Sequence, residues 1–275
     1  MTTASQETPQ EAAADAPPKL RAEHITVKFG GLVAVNDVSF TIPDRSVVSL
    51  IGPNGAGKTT FFNVLTGLYR ATSGRVLLGD KDTTNLVPHR IAALGMARTF
   101  QNIRLFGLMT AEENVKVAMH SRLKSGPFHT VVRTPRQRRE EREARELARE
   151  LLDFVGIGKF ADEYARSLSY GDQRRLEIAR ALALQPSILL LDEPTAGMNP
   201  QESARFVSFV HRLRDEKDLS VLLIEHDMSV VMQLSDRITV LDRGEKIAEG
   251  GPDDIRNDER VIEAYLGKSG RGKSS

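Results

Sequence analysis

The sequence predicts an α/β fold in which a mixed sheet is accompanied by an antiparallel β layer and by a helix-rich region. Short uninterrupted apolar runs alternate with helical patterns, as is typical of parallel strands covered by helices on both faces. The stretch from about residue 100 to residue 185 is helical in pattern and contains no convincing strand. The runs expected in the main sheet are residues 47–51, 188–191, 221–224 and 238–241, and those expected in the antiparallel layer are residues 25–27 and 39–42.

One domain, spanning residues 19–267, accounts for most of the 275-residue chain, and the helical stretch at about 100–185 is interpreted as its subdomain. Residues 1–18 are rich in Ala, Thr, Gln, Glu and Pro and have no apolar period, so we expect a disordered lead-in. Residues 268–275 have a similar character and are expected to form a flexible tail.

Composition excludes several classes of function. The chain has no cysteine, which rules out disulfides, thiolate metal sites and cysteine nucleophiles. A net charge of +1 argues against a dedicated nucleic-acid binder. The arginine-rich run at 133–149 is interleaved with glutamates, which favours a solvated helix face over a nucleic-acid or lipid patch. No apolar run approaches a membrane span and the N-terminus lacks a secretion-signal pattern, so any contact with a membrane is expected to run through partners.

Residues 52–59 read GPNGAGKT and match the phosphate-loop pattern G-x-x-x-x-G-K-[ST] in full. Glycines allow backbone N–H groups to approach phosphate oxygens, and the helix expected at residues 58–66, with Gly67 as its cap, directs its positive end toward the same anion. Lys58 is expected to reach the β- and γ-phosphates, and Thr59 to hold Mg²⁺. The nucleotide-binding residues predicted here are Gly52, Pro53, Asn54, Gly55, Ala56, Gly57, Lys58, Thr59 and Thr60.

A second acidic motif follows the apolar run at 188–191, where Asp192 and Glu193 precede Pro194. Two carboxylates at the end of a buried strand are costly unless they perform chemistry. Asp192 is suited to a second Mg²⁺ contact and Glu193 to taking a proton from an attacking water. Taken alone, such a strand end is a weak signal, but together with a phosphate loop it indicates catalysis.

Residues 168–175, LSYGDQRR, resemble the LSGGQ signature of the ABC ATPases. With the phosphate loop and the acidic motif in this order, the resemblance covers residues 20 to about 266. Gln101 matches the family's Q-loop, His226 its switch histidine and Phe29 the aromatic residue that stacks on adenine. In isolation these three residues would be interpreted as a surface glutamine, a structural histidine and a core aromatic.

The resemblance implies ATP and Mg²⁺ as cofactors and a site shared between two subunits. In this family, the signature of one subunit covers the nucleotide held by the other, so Ser169 and Gly171 would contact the γ-phosphate across the interface. Glu193, His226, Lys58 and Gln101 would be the catalytic group, and Thr59, Gln101 and Asp192 the metal group. The signature residues expected to bind nucleotide are Ser169, Gly171, Asp172 and Gln173.

Three positions depart from the usual family pattern. Tyr170 and Asp172 stand where glycine and glutamine are common, and Asn199 stands where most relatives carry aspartate. Tyr170 and Asn199 fit one subgroup, the ATPases of branched-chain amino-acid importers, which several longer segments also resemble. These segments are residues 29–38, 97–106, 176–182, 196–200, 224–228 and 262–267.

That subgroup implies a second ABC ATPase, identical or similar, two transmembrane permease subunits and, indirectly, a substrate-binding protein. The expected location is the cytoplasmic face of the inner or plasma membrane, as a peripheral protein. Related systems for urea or amide uptake or for lipopolysaccharide export are alternatives, as is a non-transport ABC ATPase of DNA repair or translation. A regulatory nucleotide-binding module without turnover is a further alternative, which the presence of Glu193 and His226 disfavours.

Overall fold

The computed structural model describes residues 17–99, 103–120 and 135–266. These form two compact units, one from the segments up to Ile91 and from Val210, the other from Ala92 to Phe209. The expectations for residues 1–16 and 267–275 lie outside the described residues, and the predicted domain limits stay a prediction. Within the described ranges, no helix is both long and apolar enough to cross a membrane.

Three strands open the described chain, three α-helices follow one another between β6 and β7, and strands and helices alternate from β7 to β9. The strands are β1 (Leu20–Phe29), β2 (Leu32–Ile42), β3 (Val47–Ile51), β4 (Ser73–Leu78), β5 (Lys81–Asp82), β6 (Met96–Arg98), β7 (Ile188–Asp192), β8 (Ser220–Ile224), β9 (Arg237–Asp242) and β10 (Glu245–Gly250). The α-helices are α1 (Lys58–Leu65), α2 (Pro88–Ala93), α3 (Ala111–His120), α4 (Pro135–Phe154), α5 (Tyr170–Leu182), α6 (Pro200–Lys217), α7 (Met228–Leu234), α8 (Pro252–Asn257) and α9 (Glu259–Leu266).

The first unit contains the predicted antiparallel layer. β1 pairs antiparallel with β2 on one side and with β4 on the other, and β5 continues the sheet beyond β4. Both runs predicted for this layer lie in β1 and β2, so the prediction is confirmed. The inward side chains alternate along β1, where Leu20, Ala22, Ile25 and Val27 are buried.

A mixed sheet in the same unit is built around β3, in which all five residues are buried. β3 pairs parallel with β8 and with β9, and β10 is antiparallel to β9. Leu50 lies opposite Ile224, and Ile51 lies opposite Val240. The carboxyl ends of three parallel strands therefore meet at one edge, and the phosphate loop leaves from the central one.

Apolar residues from the C-terminal helices support this edge. Ile51, Val240, Ile255 and Val261 belong to one buried cluster, and Tyr265 packs against it from α9. The last strand and helices therefore contribute to the core on which the phosphate loop rests.

In the second unit, β6 pairs parallel with β7, and the helices α3, α4 and α5 make up most of the rest. The helical periodicity predicted around residues 144–155 is confirmed, because Ala148, Leu151, Leu152 and Val155 are buried. The buried Glu112 of α3 accepts a hydrogen bond from Arg149 of α4 at 2.7 Å. This contact agrees with the interpretation of α4 as a structural helix whose charged face is balanced.

Candidate nucleotide-binding site

The phosphate loop joins β3 to α1, as the sequence predicts. α1 begins at Lys58 and ends at Leu65, with Thr66 as its C-cap, and Gly67 follows in a left-handed conformation. Lys58 Nζ donates to the Gly52 carbonyl at 2.7 Å and to the Pro53 carbonyl at 3.1 Å. The ammonium group is therefore folded over the loop, close to the backbone that would surround a phosphate.

Backbone from β2 and from the turn between β9 and β10 closes around the far side of the loop. A Cβ at Gly57, whose φ is 95°, would lie 2.5 Å from the Ala34 carbonyl oxygen of β2. The Gly244 N–H donates to the Ala56 carbonyl at 3.0 Å, and the Asn36 N–H donates to the Gly244 carbonyl at 2.8 Å. Sequence reasoning missed Ala34 and Gly244, because no motif marks them and their contacts are made by the backbone.

The candidate histidine His226 lies just past the end of β8, at the same edge of the sheet as the loop. Its position is fixed by the preceding residue, Glu225, whose side chain is only 1% exposed. Glu225 Oε2 accepts a hydrogen bond from the His226 N–H at 2.9 Å. This carboxylate shapes the turn that carries an exposed imidazole, and sequence reasoning did not single it out.

The candidate adenine-stacking residue Phe29 ends β1, with about half of its surface exposed. Its ring meets that of Tyr69 edge to face, with centroids 5.5 Å apart and planes inclined by 78°. Such a contact fixes the orientation of a surface ring while leaving a face open. Tyr69 was also missed from the sequence.

Tyr265 brings the C-terminal helix to the beginning of the loop. Burial raises the pKa of its phenol, and the backbone N–H of Gly52 opposes that shift. The first glycine of the loop thus lies beside a buried polar atom from α9.

In the second unit, the acidic motif stands where the sequence places it. β7 ends at Asp192, whose Oδ2 accepts a hydrogen bond from Arg98 Nη2 at 2.9 Å. Both side chains are about nine-tenths buried, and burial lowers the pKa of the Arg98 guanidinium against the opposing effect of Asp192. Asp192 therefore ends β7 with one carboxylate oxygen bound to a buried guanidinium.

Glu193 follows with a left-handed backbone, at a φ of 47°. Residues other than glycine rarely adopt this conformation, and examples concentrate where a side chain needs a particular direction. Asn199, six positions further on, immediately precedes α6, and its side-chain oxygen accepts the Glu202 N–H at 3.0 Å.

The signature forms the beginning of α5. Ser169 is the N-cap, and its Oγ accepts the Asp172 N–H at 3.2 Å and donates to Asp172 Oδ2 at 2.7 Å. Gln173 Nε2 donates to the Leu168 carbonyl at 3.0 Å, and Gly171 has open space around it. Tyr170 is one of the departures from the family pattern, and its hydroxyl accepts a hydrogen bond from Arg174 Nη2 at 2.9 Å.

Gln101 lies outside the described residues. Thr99, two positions before it, donates its N–H to the Leu190 carbonyl at 2.9 Å, so the chain reaches the Q-loop from the strand beside the acidic motif. Among the residues that the structure describes, no three His, Cys, Asp or Glu side chains gather into a metal site.

A strand, a glycine-rich loop and a helix that begins with Lys58 and Thr59 define a P-loop nucleotide-binding protein. Two family models match its sequence. One, described as ABC transporter, matches residues 35–196, and the other, described as branched-chain amino acid ATP-binding cassette transporter, matches residues 245–270.

Known proteins are similar over almost the whole chain. The high-affinity branched-chain amino acid transport ATP-binding protein LivG of Salmonella typhimurium is 48% identical over 252 residues, covering 92% of this chain and 99% of LivG. The ADP conformation of MJ1267, an ATP-binding cassette of an ABC transporter, is 32% identical with a TM-score of 0.79, covering 91% and 99% of the two chains. A dimeric post-hydrolysis state of the cassette MJ0796, bound to ADP and Pi, is 27% identical with a TM-score of 0.71, covering 85% and 98%.

This chain belongs to the ATP-binding subunits of the ABC transporters. It is an ATP-binding ATPase with the fold of that family, as its signature and phosphate loop predicted.

Proposed function

We propose that this chain hydrolyses ATP for an importer of branched-chain amino acids, bound peripherally to the cytoplasmic face of the membrane. The observation that carries the proposal is the similarity to LivG, which spans 92% of this chain, and the branched-chain family model matches its C-terminal segment, residues 245–270. That segment includes β10, α8 and α9, which support the edge of the sheet where the phosphate loop begins.

Nucleotide binding rests on the loop residues 52–60. The folded-back Lys58 places its charge beside the loop carbonyls, from which it can turn to β- and γ-phosphate oxygens. Thr59 and Asp192 are the oxygen ligands that fit Mg²⁺, with Gln101 as the third predicted contact. When bound, Mg²⁺ would neutralise part of the phosphate charge beside these residues.

Hydrolysis requires a water held in line with the γ-phosphate and a group that accepts its proton. Glu193 is proposed as that base. His226 is proposed to hydrogen-bond the γ-phosphate and the water, and Gln101 to sense Mg²⁺ and the water. The water oxygen bonds to the γ-phosphorus as the bond to the bridging oxygen breaks, which yields ADP and inorganic phosphate.

A complete site requires a second ATPase subunit, identical or similar. Ser169 and Gly171 lie at the exposed beginning of α5, where backbone N–H groups and the helix dipole favour an anion. We propose that they contact the γ-phosphate held by the neighbouring subunit, so that ATP joins the two subunits and hydrolysis releases them.

Two transmembrane permease subunits are the proposed membrane partners, with a substrate-binding protein acting through them. The second unit exposes a group of apolar side chains between Phe106 and Met109, among which Leu108 is 73% exposed. The exposed Tyr164 lies close to this loop, because the next residue, Ala165, donates its N–H to the Met109 carbonyl. Exposed apolar side chains concentrated in one loop are typical of a protein-binding surface. This surface suits an apolar segment of a permease.

The proposed function is tested with the chain reconstituted in proteoliposomes with its permeases, its partner ATPase and the binding protein. We expect ATP hydrolysis and uptake to rise with binding protein loaded with leucine, isoleucine or valine. Leu108→Asp should abolish this stimulation without lowering the basal ATPase rate. Leu68→Asp, a matched change at an exposed leucine of the first unit, should leave the stimulation intact. Stimulation by urea or short amides in place of the amino acids would contradict the proposal.

Adenine stacking on Phe29 gives a separate prediction. Phe29→Ala should raise the Kd for ATP about tenfold, because stacking of a base on an aromatic ring contributes roughly 1–3 kcal/mol. Isothermal titration calorimetry measures this change. Phe29→Tyr should retain affinity, and Phe106→Ala controls for the loss of an exposed phenylalanine. An unchanged Kd in Phe29→Ala would show that adenine binds elsewhere.

A further inference from the structure

Ser169 and Asp172 form a closed pair at the beginning of α5. The Ser169 hydroxyl donates to Asp172 Oδ2 at 2.7 Å, and the Asp172 N–H donates back to Ser169 Oγ at 3.2 Å. A serine hydroxyl has a single proton to donate. In this arrangement that proton is held within the chain, although the proposed function gives it to a phosphate of the neighbouring subunit's ATP.

The acceptor in this pair is charged, which strengthens it. A hydrogen bond to a carboxylate is shorter and stronger than one to a neutral acceptor, and a carboxylate in the first turn of a helix is also stabilised by the helix dipole. Arg175 is the cation beside it, but its Nη1 lies 3.7 Å from Asp172 Oδ1, at the limit of an ion pair, and its side chain is about half exposed. The charge of Asp172 is therefore only partly balanced.

We propose that Asp172 is a positioning residue that holds Ser169 closed and so restrains ATP-driven pairing of the subunits. This inference rests on the proposed function, in which Ser169 meets the γ-phosphate of a neighbouring subunit. For that contact to form, the Ser169 hydroxyl exchanges the Asp172 carboxylate for a phosphate oxygen. The carboxylate also opposes the approach of a phosphate, because like charges repel, so this inference replaces the nucleotide contact that the signature predicts for Asp172. The common family residue at this position, glutamine, carries no charge.

The restraint acts on pairing and not on the binding of ATP by one subunit. Each subunit binds nucleotide through its own phosphate loop, which lies in the first unit, whereas Ser169 and Asp172 lie in the second. Removing the charge should therefore strengthen pairing and leave the affinity of the single subunit for ATP unchanged. A role confined to capping α5 predicts a different result, namely a loss of stability with no gain in pairing.

The experiment measures pairing by sedimentation velocity across ATP concentrations, in a Glu193→Gln background that slows hydrolysis. Asp172→Asn retains a neutral acceptor for Ser169, and Asp172→Ala removes the acceptor. Both should lower the ATP concentration for half-maximal pairing, by about tenfold, which is the scale of one charged hydrogen bond. The Kd for ATP below the pairing concentration should not change.

Glu113→Gln is the matched control, because the Glu113 carboxylate also binds the residue before its helix, accepting the Thr110 N–H at 2.8 Å, while the Glu113 N–H donates to Thr110 Oγ1 at 3.1 Å; it holds no side-chain hydroxyl. It should leave pairing unchanged. If the Glu193→Gln parent pairs with ATP, unchanged or weaker pairing in both Asp172 variants would overturn the inference. A Glu193→Gln parent that never pairs with ATP, alone or with a partner ATPase, would overturn the paired site of the proposed function itself.

Adding Ser169→Ala distinguishes the effect of the hydrogen bond between Ser169 and Asp172 from the effect of charge repulsion alone. If Asp172 acts through Ser169, the gain from Asp172→Asn should shrink in the Ser169→Ala variant. An undiminished gain would overturn the positioning role of Asp172.

Discussion

Replacing Glu193 with glutamine is expected to lower the ATPase kcat by about 10²- to 10⁴-fold, because the amide cannot accept the proton of the attacking water. Glutamine preserves the size of the side chain and its left-handed backbone, so ATP should still bind. The expected product is an ATP-bound pair of subunits that does not separate. Phosphate release measures the rate, and size analysis with ATP measures the pair.

The matched control for this change is Glu163→Gln, which alters an exposed glutamate of the same unit and should leave kcat within a factor of about two. Hydrolysis at the normal rate in Glu193→Gln would show that another group accepts the proton.

Gly52→Ala should be the most destabilising single change in the phosphate loop. Its φ of 147° suits glycine, and a Cβ there would overlap the Leu241 carbonyl oxygen and lie 3.2 Å from the Ala56 Cβ. The Leu241 carbonyl belongs to the backbone and the Ala56 methyl is attached directly to it, so neither can turn away as a long side chain does. Strain and overlap together predict a loss of about 2–5 kcal/mol in the free energy of unfolding, measured by urea denaturation.

Gly55→Ala separates the two causes of that loss. Gly55 also has a left-handed backbone, at a φ of 83°, but no atom lies within 4 Å of where its Cβ would be. We expect it to cost about 1 kcal/mol, from backbone strain alone. Equal losses in the free energy of unfolding in the two variants would mean that the backbone at the edge of the sheet shifts to make room, so that the Leu241 carbonyl does not obstruct the added Cβ.

The strands that carry the candidate site could be predicted because their signals are local. Residues 47–51 and 188–191 are unbroken apolar runs, and they form β3 and β7. β4, β6 and β10 were missed, since they are short or polar and gain their strand conformation from neighbouring strands.

Contacts between residues distant in sequence were beyond the reach of sequence reasoning. No sequence pattern marks Arg98, and only the pairing of β6 with β7 places it beside Asp192. Gly244 has no motif of its own, yet its backbone holds Ala56 in the phosphate loop. The hydrogen bond between Ser169 and Asp172 is local in sequence. The signature pattern nevertheless predicts only what these two residues bind, and not that they bind each other.

The contact between Gly244 and Ala56 has a consequence for the order of events during synthesis. The ribosome makes the phosphate loop within the first quarter of the chain, but the backbone that holds it, and the strands on both sides of β3, emerge only after residue 220. A growing chain that has just completed its ATP-binding motif thus lacks the neighbours that shape it. Nucleotide can assist folding only once Gly244 has been made and both halves of the first unit have left the ribosome.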